Sequence, residues 1–116
     1  MRDDRTRLID MIDAITNVEK YADEGKERFL TDELIRTYIV HHLQILGEAG
    51  NKLTADLRSR HPEIPWPRIL GMRHVLVHDY SRVDYGIVWD VVETELSRLK
   101  TQLQKIVQEL EGDVST

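Results

Sequence analysis

The residue types in this sequence that could do chemistry are concentrated in Arg73-His74-Val75-Leu76-Val77-His78-Asp79-Tyr80. One arginine, two histidines, an acid and a tyrosine fall within about two helical turns. Arginine presents a fork of donors that fits a phosphate, and histidine is the side chain suited to moving protons near neutral pH. Such a set could hold or cleave a phosphodiester without a metal. Its geometry is restrictive, because each residue of a regular helix turns about 100°. Arg73, Val77 and Tyr80 then share one face, and His74 and His78 share another. Arg73 and His78, five positions apart, point about 140° away from each other. One regular helix does not bring both onto one phosphate. Two arrangements would: the helix unwinds near His78, or two copies of the motif meet across a two-fold axis. The second makes a monomer inactive.

The neighbourhood is basic on an acidic chain. Between Arg58 and Arg82 there are five arginines and two acids, Glu63 and Asp79, a local balance of +3 against −5 for the whole sequence. His61, His74 and His78 share this window. A focused anion site fits this pattern, and so does a solvated basic loop and helix face. The acidic total argues against a general coat of nucleic acid. His74 and His78 have the spacing of a zinc pair, but no third ligand is evident, so no metal and no cofactor is expected. Asp79, Asp84 and Asp90 would bind a cation only if the fold gathered them. Glu48, beside Gly47, is either an exposed acid or a buried partner for Arg73. Cysteine is absent, which excludes a disulfide framework, a thiolate metal site and a cysteine nucleophile. No apolar run approaches the roughly 20 residues that span a bilayer, and no signal-type block follows the charged N-terminus, so a cytoplasmic protein is expected.

These residues need helices to position them. Leu8, Met11, Ile12, Ile15, Val18 and Ala22 recur at three- and four-residue steps, predicting a first helix over about 3–23. Thr31 offers an N-cap for a second, which an apolar stripe from Leu34 to Leu57 carries to about 58. Gly47 and Gly50 lie inside it, each less favourable than alanine by up to ~1 kcal/mol, which suggests a close helix approach or a bend there. After the loop at 61–65, Pro67 suits the first turn of a third helix ending near 78. Asp84 is a plausible cap for the last, about 85–110. Trp66 reads as the anchor of the proline loop, and Tyr38, Tyr85 and Trp89 as core or interface aromatics. The expectation is a single domain over 1–116, all-α, an up-and-down four-helix bundle.

Several segments in order resemble the HepT-like toxins of the HEPN superfamily. They are Gly47-Glu48-Ala49, His61-Pro62-Glu63-Ile64-Pro65-Trp66, Gly71-Met72 running into the motif, Val83-Asp84-Tyr85 and Ile87-Val88-Trp89. The resemblance covers the chain from about Tyr38 onward. It implies a homodimeric helical bundle acting as a metal-independent endoribonuclease, the toxin of a toxin–antitoxin pair. The family's R-x4-H-x-Y motif maps onto Arg73, His78 and Tyr80. By that resemblance Arg73 and His78 cleave RNA in a cleft between protomers. Tyr80 is where a minimal nucleotidyltransferase antitoxin of the MntA type attaches AMP and silences the toxin. His74 departs from the small polar residue, often asparagine, that commonly follows the motif arginine. It takes that polar role, adds a titrating group or marks an altered enzyme. His74, Asp79 and Glu48 are the candidate supporting residues. The competing class is a non-catalytic helical dimer that binds a nucleotidyltransferase partner or a nucleotide; a purely structural bundle is a third reading.

Overall fold

Each of the apolar stripes folds as helix in the computed structural model, but two of them are broken. The structure describes residues 3–78 and 83–115; for Val75, Val77, His78 and 113–115 it describes the backbone alone. Seven helices and no strand occur among the described residues. α1, Asp4–Ala22, starts at Asp3, whose carboxylate accepts from the Thr6 amide. That hydrogen bond holds the Asp3 carboxyl below the ordinary aspartate value. α2, Lys26–Thr31, is a short helix that the apolar spacing does not announce. It is entered through Gly25 at φ 93°, a conformation that favours glycine, and it buries Phe29.

α3, Glu33–Asn51, is capped by Asp32 and not by Thr31. The Asp32 carboxylate accepts from the Leu34 and Ile35 amides, while the Thr31 hydroxyl donates back to the Glu27 carbonyl and closes α2. The stripe expected to run to 58 breaks after Asn51. There Thr54 caps α4, Ala55–Arg60. The Asp4 carboxylate fixes the break by accepting from the Thr54 amide at 2.9 Å and its hydroxyl at 2.7 Å. α5 spans Trp66–His78. The last stripe divides at Glu95 into α6, Tyr85–Thr94, and α7, Leu96–Ser115, with Asp84 capping α6 as expected.

α3 packs between α1 and α5, and α1 packs between α3 and α7, so the long helices form an arc 50 Å in its longest dimension. Leu8, Met11, Ile15, Ile39, Leu43, Leu46 and Leu103 fill its centre and are essentially inaccessible. Each such side chain stabilises the fold by about 2 kcal/mol relative to exposure. Trp66 anchors the proline loop: its indole N–H donates to the Arg58 and His61 carbonyls at the end of α4. The arc is open between α5 and the α6–α7 pair. An apolar groove of about 570 Å³ remains there, lined by Met72, Leu76, Val91 and Leu99 among others, and Arg68 of α5 pairs with Glu95 across it.

Candidate active site

The arginine of the motif is seated by a glycine. A Cβ built on Gly47 would stand 2.5 Å from the Arg73 Cβ and 3.4 Å from its backbone nitrogen. Only glycine lets the two helices come this close, so of the close approach or bend suggested by its position the first holds. One turn further, a Cβ on Gly50 would meet Leu70 and the Met11 methyl at 3.1 Å. Gln44, one turn before Gly47 on α3, donates its side-chain amide to the Leu76 carbonyl at 3.3 Å. Carbonyls in the last turn of a helix lack an intrahelical partner, and this bond satisfies one of them. A single face of α3 thus fixes α5 at Arg73 and again near its C-terminal end.

α5 is helical through His78. Unwinding between Arg73 and His78 is therefore not observed, and these positions keep the angular separation of regular helix. The side chain of His78, and all of Asp79 and Tyr80, lie outside the described residues. Arg73 is partly buried and His74 is exposed.

Of two alternatives left open by the sequence, one is decided and the other narrowed. Glu48 is not a buried partner for Arg73: it is exposed and pairs with Lys52 at 3.3 Å, one turn along the same helix. Following Gly47 directly, it is turned about 100° from the face that meets α5. Among the described residues of the basic window, part of the charge is neutralised by ion pairs. Arg60 pairs with Asp56 at 3.2 Å, His61 with Glu63 at 3.4 Å, and Arg68 with Glu95. Asp56 and Glu95 lie outside the window in sequence but fold back onto it. Among the described residues no group of three or more side chains could hold a metal ion.

Beside the end of α5 lies a second cavity, of about 490 Å³, that periodicity does not reveal. Arg36, His41 and Gln44 of α3 line it with Leu76, Val83 and Tyr85. The Arg36 guanidinium lies 5.1 Å from the centre of the Tyr85 ring and donates to the Leu30 carbonyl. On the same helix, the His42 ring packs at a tilt against Tyr38, with centroids 4.5 Å apart. Burial lowers the His42 pKa, helped by the neighbouring His41 and Lys20 charges. One face of α3 supplies most of this lining, and the packing of α3 against α5 adds Leu76 to it.

Fold and site together define a small all-helical domain that carries an arginine–histidine motif on a helix seated against paired glycines. Residues 11–106 match the model of the family described as "Ribonuclease HepT-like", and the chain belongs to that family. It is 33% identical over 106 residues to "Probable ribonuclease HepT" of Thermococcus cleftensis, covering 90% of this chain and 96% of that one. It is 31% identical over 112 residues to "Putative RNase MJ1216" of Methanocaldococcus jannaschii, covering 96% and 93%. A second protein of that organism, "Putative RNase MJ0125", is 34% identical over 104 residues, covering 90% and 88%. No solved structure matches the chain at a comparable level. No helix among the described residues is long and apolar enough to cross a membrane.

Proposed function

We propose that this protein is the ribonuclease toxin of a toxin–antitoxin pair, cutting RNA without a metal in a cleft shared by two protomers. Membership of a ribonuclease family supports the substrate class. The observation that carries the shared cleft is the unbroken helix from Arg73 to His78. Residues held about 140° apart on one helix do not converge on one phosphate, but Arg73 of one protomer and His78 of its partner can. The apolar groove beside α5 supports pairing, since burying such a surface drives association. Ile87, on the groove wall, is 62% exposed in the single chain.

In this reading His78 takes the proton of the ribose 2′-OH as that oxygen attacks phosphorus. Arg73 stabilises the charge on the pentacoordinate phosphorus. The 5′-oxygen leaves with a proton, and a 2′,3′-cyclic phosphate remains. DNA, which lacks the 2′-OH, is inert. Tyr80 accepts AMP from a minimal nucleotidyltransferase antitoxin, which adds bulk and negative charge to the motif and blocks the strand. The test is RNA cleavage in EDTA. Wild type should cut, Arg73→Ala and His78→Ala should each lose at least about a hundredfold, and metal should not be required. Equal rates in all three, or dependence on added metal, would contradict the reading.

A further inference from the structure

We infer that the cavity between α3, the end of α5 and the start of α6 is a nucleotide subsite, which holds an RNA nucleotide next to the cleaved bond. The inference rests on the ribonuclease reading for its placement, but on independent residues for its chemistry. The cavity, about 490 Å³, is large enough for one nucleotide. Its wall contains Leu76, which lies between Arg73 and His78 on α5, so the cavity adjoins the motif helix.

Its lining is suited to a base and a phosphate. Single-stranded RNA is recognised largely by stacking of unpaired bases on aromatic rings or guanidinium planes, and by hydrogen bonds to base edges. Arg36 supplies such a plane. Its guanidinium is held over the Tyr85 ring and by the Leu30 carbonyl at 2.9 Å, so little side-chain freedom remains to be lost when a base stacks on it. His41 is exposed at the rim, and Gln44 and Thr37 add groups that hydrogen-bond base edges or phosphate. The acid in the lining, Glu33, sits in the first turn of α3 and can accept from a base amino group. The recess thus combines one guanidinium plane with several hydrogen-bonding side chains beside the motif helix.

The subsite is tested by binding, separately from cleavage. A short fluorescent RNA with a 2′-O-methyl group on every ribose cannot be cut, and its affinity is read by anisotropy in EDTA. Wild type is expected to bind. Arg36→Lys, which keeps the charge but removes the plane, and His41→Ala, at an exposed position, should each weaken binding roughly tenfold. Circular dichroism checks that both variants remain folded. Wild-type affinity in both variants, or no binding by wild type, overturns the subsite. Cleavage of the all-ribose strand then separates the two claims. Binding that needs Arg36 and His41 in a protein that does not cut keeps the subsite and removes the ribonuclease reading. Cutting with unchanged KM in both variants does the reverse.

Discussion

At the scale of single residues, the position of Arg73 depends on Gly47 as much as on α5 itself. Gly47→Ala places a methyl group within 2.5 Å of the Arg73 Cβ, and one helix must move. Overpacking of this kind destabilises by about 1–3 kcal/mol. RNA cleavage should fall by more than this loss explains, because Arg73 is displaced from its phosphate. Thermal melts with kcat and KM check this: kcat should fall at least about tenfold, since small misplacements of catalytic groups are costly, with the protein still folded. An unchanged kcat would show that the contact does not position the motif. The chemistry-bearing residue types were legible in the sequence, as was the need for close approach at Gly47. Of the two readings of Glu48, the exposed acid holds and pairing with Arg73 does not, because adjacent helix positions diverge. Gln44 was missed because its partner, the Leu76 carbonyl, is 32 positions away and is a backbone group.

At the scale of elements, apolar spacing located the helices well and their breaks poorly. Val92 and Leu96 bracket Glu95 at four-residue spacing, so the stripe stays continuous across the division of α6 from α7. α2 buries only Phe29 and has no period to detect. The break before α4 is held by Asp4, fifty positions away. Caps are local and were easier to read, although Asp32 took the place expected for Thr31. The Ile35 amide bond, above all, holds the Asp32 carboxyl below the ordinary aspartate value. A depressed folded pKa contributes stability that is present above the unfolded value and is lost as pH falls through the folded one. Asp32→Ala should therefore melt at a lower temperature than wild type at neutral pH. The gap should close as pH falls below the aspartate range. A gap independent of pH would contradict the capping role.

For the whole molecule, the arc of helices leaves a long apolar groove beside the motif helix, a face that the shared cleft assigns to a second copy. Ile87→Glu puts a charge on the groove wall without disturbing the core, since the side chain is mostly exposed. Light scattering should then report a monomer and RNA cleavage should be lost; an active monomer would contradict the shared cleft. The most direct test of that cleft mixes two inactive proteins, Arg73→Ala and His78→Ala. In a mixed dimer with shared sites, one site lacks both residues and the other is complete. Random exchange makes about half of the dimers mixed, each with one complete site of two, so about a quarter of wild-type activity should return. If each protomer holds its own site, no complete site forms. A fully exchanged mixture as inactive as its parents, beside an active wild type, would contradict the account.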